Sequence, residues 1–133
     1  MRKFTITLAS LPLLIAANSA VAATPADACK AIGDARTNLV ALINAPSPEL
    51  RAGLRTKINA ASDQLDQALA AMASGEHAAQ AANFKEVWEA FKHTREMEII
   101  PAVEAGKVAD AKAIAKGVQA GRMKQMNAAM GCH

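Results

Sequence analysis

Two arginines and a tryptophan are the side chains of this sequence best suited to hold a small anion. Arg36 and Arg122 fall on two predicted neighbouring helices, within about two helical turns of each other. Trp88 lies near the level of Arg122, on a helix that also carries Phe84 and Phe91. Two guanidinium groups beside aromatic rings can bind a carboxylate through paired hydrogen bonds and cation–π contact. Arg36, Trp88 and Arg122 are therefore the candidate ligand-binding residues. The alternative is that both arginines extend to the rim and pair with carboxylates, while Trp88 fills the core.

Cys29 lies near the start of the first predicted helix, and Cys132 lies just after Gly131, the predicted end of the last one. In an up-down-up-down bundle these two helix ends meet at the same end of the molecule, and an oxidising compartment would allow a disulfide between the cysteines. Counted from the turns, however, Cys132 lies ~12 Å of helical rise further along than Cys29. A bridge therefore requires a staggered first helix or a tail that folds back after Gly131, and the sequence leaves the pairing open.

Cys132 and His133 also allow a second chemistry, the attachment of haem. Haem attachment in c-type cytochromes uses C-x-x-C-H, whereas the segment Ala129 to His133 lacks the first cysteine. A single thioether at Cys132 is the alternative, and it would make the chain similar to periplasmic electron-transfer bundles such as cytochrome c-prime. The leading prediction includes no cofactor and no metal site. It assigns five methionines to core packing: Met72, Met97, Met123, Met126 and Met130.

No residue pattern predicts an enzyme. The sequence has no H-E-x-x-H, no nucleophile with a recognisable base and no phosphate-binding glycine loop. The acidic pairs Asp63/Asp66 and Glu96/Glu98 are interpreted as solvated helix faces. Nucleic-acid binding is also set aside, because removal of Arg2 and Lys3 with a signal peptide lowers the net charge from +3 to +1.

Residues 1–23 have the pattern of a secretory signal peptide. A positive start, Met1-Arg2-Lys3, precedes an uncharged run over 4–17 and small residues that offer cleavage after Ala22 or Ala23. The uncharged run is shorter than the ~20 residues that span a bilayer, and Pro12 interrupts it. We therefore expect an exported, periplasmic protein of residues 24–133, with no stable membrane insertion after cleavage.

Composition and periodicity predict that residues 24–133 form one all-α domain. The chain is 52% hydrophobic but only 3% aromatic, and alanine-rich sequences of this kind favour helices over strands. Helix starts are predicted at Thr24-Pro25, Ser47-Pro48, Glu76 and Val108. Pro101 is expected to kink the third helix, and the fourth helix is expected to run unbroken to Gly131. Short connections favour an up-down-up-down antiparallel four-helix bundle.

A stretch of about forty residues resembles the four-helix-bundle sensor domain of methyl-accepting chemotaxis proteins. It contains Trp88 and Arg95 in the spacing W-x-x-F-x-x-x-R, followed by Ile99-Ile100-Pro101-Ala102. A Gly106-Lys107 turn and an alanine-rich helix with Gln119-x-x-Arg122 complete the likeness. The membrane helices and the cytoplasmic signalling hairpin of that family are not recognised in this sequence. The resemblance therefore implies a free-standing, exported sensor domain.

The function that this resemblance implies is binding, connected with signal transduction and chemotaxis. The expected partners are a small-molecule ligand or a membrane receptor, and a homodimer is expected because sensor bundles of that family pair. A purely structural helical protein of the periplasm is a further alternative.

Overall fold

The computed structural model describes residues 23–133, and all regular structure in that range is helical. No strand occurs among these residues, so the predicted all-α class is confirmed. The signal peptide predicted over 1–23 lies, apart from Ala23, outside the described residues. None of the helices between residues 23 and 133 is both long enough and apolar enough to cross a membrane.

The first two helices begin where the capping residues predict. Helix α1 (Pro25–Asn44) starts with a capping box, in which Thr24 and Asp27 exchange side-chain and backbone hydrogen bonds. Helix α2 (Pro48–Met72) starts at Ser47, whose hydroxyl accepts from the Leu50 N–H. Proline follows each cap, at the position where a missing N–H costs the helix nothing.

The third helical segment is continuous, but it contains a wider turn. Helix α3 (Ala78–Thr94) passes into a π-helical turn (Arg95–Ile99) and then into helix α4 (Ile100–Glu104). The widened turn directly precedes Pro101, which has no N–H to donate and whose ring needs room against the preceding turn. The kink expected at Pro101 is thus accommodated by a π-helical turn. Gly106, with φ of +77°, ends the segment, and the Lys107 N–H donates to the Ala102 carbonyl.

The predicted fourth helix is interrupted, which corrects the expectation of an unbroken run. Helix α5 (Val108–Lys116) and helix α6 (Val118–Met130) are separated at Gly117. A Cβ atom at Gly117 would lie 3.0 Å from the Ala113 carbonyl oxygen, so the local backbone suits glycine. Val118, which the periodicity places toward the core, is 49% exposed, because the helical face shifts after the interruption.

Buried apolar side chains from all six helices form one core. Helix α1 packs most extensively along α2, and α3 packs most extensively along α6. The largest fully buried side chains are Trp88, Phe84, Phe91, Ile32, Ile58, Leu65, Ile99 and Met126. Four of the five methionines assigned to the core are buried, whereas Met97 in the π-helical turn is 63% exposed. The assignment of Met97 to the core is therefore wrong.

Candidate functional site

The three predicted ligand-binding residues lie in different surroundings. Arg36 is exposed on α1 and lines a cavity that α1 shares with α3, α5 and α6. Trp88 is fully buried, and its indole Nε1 donates to Asp66 Oδ1 at 2.7 Å. Arg122 donates to Thr94 Oγ1 at 2.6 Å and lines an open groove between α3 and α6. Arg36 and Arg122 thus line different cavities, and Trp88 lines neither.

The cavity at Arg36, hereafter the Phe91 cavity, has a volume of about 320 Å³. This volume is within the range of small-molecule sites, at its lower end. Apolar and polar side chains both line it: Arg36, Leu39, Val40, Ile43, Asn44, Phe91, Lys112, Ala115, Lys116, Gln119 and Met123. Leu39, Ile43 and Phe91 are buried and give the cavity an apolar floor.

The rim of the Phe91 cavity is positively charged. Arg36, Lys112 and Lys116 line it, and no carboxylate does. Within residues 23–133, none of these three cations has a salt-bridge partner within 4.0 Å. Three positive charges around one cavity make the potential at its rim positive, which favours a negatively charged group there over a positive one.

Gln119 fixes one wall of the Phe91 cavity. Its Nε2 donates to the Phe91 carbonyl oxygen at 2.9 Å, and its Oε1 accepts from Arg122 Nη1 at 2.9 Å. Gln119 is itself buried, and these bonds satisfy both ends of its amide. The bond to Phe91 ties α6 to α3, and Arg122 holds the amide from the opposite side. The wall is therefore preorganised by hydrogen bonds within the chain.

Trp88 belongs to a polar cluster between α2 and α3. Lys92 Nζ donates to Asp66 Oδ1 at 3.0 Å and to Glu89 at 3.0 Å, and lies 5.3 Å from the Trp88 ring centroid. Burial by itself lowers the pKa of Lys92, but the hydrogen bonds to Glu89 and Asp66 outweigh it and raise the pKa above its ordinary value. Asp66 is half-exposed, as its interpretation as part of a solvated face allows, but it also accepts hydrogen bonds from Trp88 and Lys92.

The π-helical turn holds a buried guanidinium. Arg95 is almost fully buried, donates to Ser62 Oγ and Glu96 Oε1, each at 2.9 Å, and lies 5.7 Å from the Trp88 ring centroid. Burial lowers the pKa of Arg95, and Glu96 opposes that effect. Arg55 pairs with the other oxygen of Glu96. Glu96, also interpreted as a solvated residue, instead joins α2 to the π-helical turn.

Cys29 and Cys132 form a disulfide, with their Cα atoms 5.6 Å apart. The stagger expected from the sequence is resolved at Gly131, whose φ of +68° ends α6. The Cys132 N–H then donates back to the Asn127 carbonyl at 2.9 Å, so the tail folds over the end of the helix. A disulfide sulfur has no thiol to add to a haem vinyl group, so the alternative haem site at Cys132 and His133 does not fit this arrangement.

Lys112 and Lys116 line the cavity but are not among the candidate residues predicted from the sequence. With Gln119 and Met123 they follow steps of 4, 3 and 4, which is the spacing of one helical face. That spacing indicates that the four side chains share one face of the helix. Ala111, Ile114 and Val118, close to one position earlier, form a more apolar face, which is the face that the sequence favours as the buried one.

No protein-family model, curated protein or solved structure matches this chain. The likeness to the chemoreceptor sensor domain therefore rests on its sequence motif alone. Among residues 23–133, no group of three or more His, Cys, Asp or Glu side chains is placed to hold a metal ion.

Proposed function

We propose that residues 24–133 form an exported, sensor-type helical bundle that binds a small molecule in the Phe91 cavity. The observation that carries this proposal is the cavity itself, with an apolar floor under a polar rim. It lies on the side where α1 meets α5 and α6, and α1 packs less extensively there than against α2. A binding site on the less tightly packed side can admit a ligand without disrupting the core.

An up-down-up-down antiparallel arrangement is part of this proposal. Connections of three residues, 45–47 and 105–107, join α1 to α2 and α4 to α5. Such short connections favour helices that reverse direction and pack as neighbours. The disulfide supports the same arrangement, because it links the second turn of α1 to Cys132, the second residue after the end of α6.

Export and a membrane partner complete the proposal. The signal pattern over 1–23 supports export. The motif from Phe84 to Arg122 supports a sensor role, in which the bundle would bind a membrane receptor or pair as a homodimer. Intact mass of protein recovered from the periplasm tests the first point, since cleavage should remove residues 1–22 or 1–23. Recovery of the uncleaved chain from the cytoplasm would contradict export.

Blocking the cavity is the direct test of small-molecule binding. Ala115 lines the cavity, so Ala115→Phe should fill it, whereas Ala113→Phe adds the same side chain at an exposed position of α5 outside it. In a thermal-shift screen of neutral and charged organic molecules, ligands should raise the melting temperature of the wild type and of Ala113→Phe but not of Ala115→Phe. A screen without a stabilising compound, or one with equal shifts in both variants, would overturn the proposed function.

A further inference from the structure

We infer that the ligand of the Phe91 cavity is a small amphipathic organic anion, with one acidic group on an apolar body. This inference rests on the proposed function and specifies its ligand class. The acidic group would lie among Arg36, Lys112 and Lys116, and the apolar body against Leu39, Ile43 and Phe91.

The three cations that line the Phe91 cavity are the reason for proposing a negatively charged ligand. Among the buried or half-buried cations of residues 23–133, Arg55, Lys92 and Arg95 each contact a carboxylate. The remaining two, Arg51 and Arg122, donate to neutral oxygen atoms instead. The three cations of the Phe91 cavity have no such partner in the same range, although they surround one space. A bound carboxylate would supply the missing counter-charge and accept hydrogen bonds from all three.

Comparison with a second cavity supports a negative charge on the ligand of the Phe91 cavity. The groove between α2 and α3 has a similar volume, about 330 Å³, but it is lined by Asp66, Glu89 and Lys85 above alanine side chains. Two of those three charges are acidic, and Lys92 already binds both carboxylates. Within residues 23–133, three cations without a carboxylate partner thus line the Phe91 cavity, whereas the other groove has two carboxylates bound by Lys92 and one unpaired lysine, Lys85.

The neutral polar groups of the Phe91 cavity do not favour a sugar or another polyhydroxylated ligand. The Gln119 amide is engaged by Phe91 and Arg122, and the Asn44 Nδ2 donates to the Val40 carbonyl. Hydroxyl groups would therefore find few free side-chain amides to bond. The remaining features are positive charge at the rim and an apolar floor, which together select an amphipathic anion.

Trp88 provides an internal reporter for the experiment. It is the single tryptophan of a chain without tyrosine, and its ring stacks on Phe91 with centroids 5.7 Å apart. Three optically silent probes share one apolar body and differ in charge: cyclohexanecarboxylate, cyclohexylmethanol and cyclohexylmethylamine. Titration of the disulfide-bonded protein with each probe, followed by Trp88 fluorescence, gives three dissociation constants.

We expect cyclohexanecarboxylate to bind at least tenfold more tightly than the alcohol or the amine. Arg36→Gln, Lys112→Gln and Lys116→Gln should each weaken binding of the carboxylate by several-fold to tenfold, and added salt should weaken it further. Lys124→Gln is the matched control, because it removes one positive charge from an exposed position of α6 outside the cavity. Circular dichroism confirms that these surface variants remain folded.

The possible outcomes distinguish failure of the anionic ligand class from failure of the proposed small-molecule binding. Equal or tighter binding of the alcohol or the amine, blocked by Ala115→Phe, would overturn the anionic ligand while leaving the small-molecule site intact. Binding of the carboxylate that Lys124→Gln weakens as much as Arg36→Gln does would overturn the assignment to this rim. Failure of all three probes to bind would overturn the ligand class proposed here, and the thermal-shift screen then decides the proposed function separately.

Discussion

At the scale of single residues, the indole of Trp88 depends on one acceptor. Its Nε1 is buried and donates to Asp66 Oδ1, which also accepts a hydrogen bond from the Lys92 ammonium group. A buried donor that loses its acceptor costs about 1–3 kcal/mol, because it has given up its bond to water without replacement. Asp66 therefore contributes to stability out of proportion to its half-exposed position.

Asp66→Ala should lower the free energy of unfolding by about 1–3 kcal/mol, since it leaves the indole without an acceptor and removes one of the two carboxylates that bind Lys92. Asp63→Ala, one turn earlier on an exposed position of α2, should change it by less than about 0.5 kcal/mol. Asp66→Asn should recover part of the loss, because its amide oxygen can still accept from Trp88. Urea unfolding followed by circular dichroism measures all three, and equal effects at positions 63 and 66 would contradict the role of the cluster.

The raised pKa of Lys92 predicts a loss of stability in alkali. A lysine whose folded pKa exceeds its unfolded value of about 10.5 stabilises the fold at lower pH and loses that contribution as pH rises through the folded pKa. The stability difference between the wild type and Lys92→Met should thus stay constant from pH 7 to about pH 10 and shrink above it. Lys85→Met is the control, because Lys85 has no ion pair within residues 23–133. A difference between wild type and Lys92→Met that grows above pH 10 would contradict this assignment.

Residue positions on a helix predict a face, but not which of two adjacent grooves a long side chain enters. Arg36 was predicted as a ligand residue and does line the cavity, whereas Arg122 bonds to Thr94 and lines another groove. Which groove the Arg122 side chain enters depends on how α6 is rotated about its axis relative to α3. The spacing of residues in the sequence does not determine that rotation. The prediction that these residues bind a ligand stays a prediction.

At the scale of helices and turns, Gly117 determines which face of the last segment points inward. Gly117→Ala should lower the free energy of unfolding by about 1 kcal/mol, because the new Cβ would lie 3.0 Å from the Ala113 carbonyl. Gly121→Ala, in the middle of α6 with no atom within 4 Å of its Cβ, should instead raise it by about 0.5–1 kcal/mol. Thermal unfolding measures both, and a stabilising effect at both positions would show that the interruption is dispensable.

Helix ends were easier to predict than the continuity of a helix. Thr24, Ser47, Gly106 and Gly131 carry local signals, caps or left-handed glycines, and each of them bounds a helix in the structure. The interruption at Gly117 has no such signal, since a single glycine within an alanine-rich run is compatible with either outcome. Whether the helix is interrupted at Gly117 depends on the packing of α5 and α6 against different neighbouring helices. Those contacts are distant in the sequence and cannot be read from the residues around Gly117.

At the scale of the whole molecule, the disulfide closes a loop that contains nearly the entire helical region. Its two cysteines are separated by 103 residues, so the bridge restricts the unfolded chain strongly. The double variant Cys29→Ser/Cys132→Ser should have a free energy of unfolding about 4 kcal/mol lower than the oxidised wild type, and reduced wild type should match it. Urea unfolding with and without a reductant measures this, and an unchanged midpoint after complete reduction would contradict the prediction.

The same bridge has a mechanical consequence. A pulling force applied ahead of Cys29 and behind Cys132 passes directly through the sulfur–sulfur bond, because that bond joins the two residues covalently. The helices between them carry none of the load and should not extend under such a force. The segment from Cys29 to Cys132 would therefore not lengthen under such a force, and reduction of the bridge would allow its roughly one hundred residues to extend.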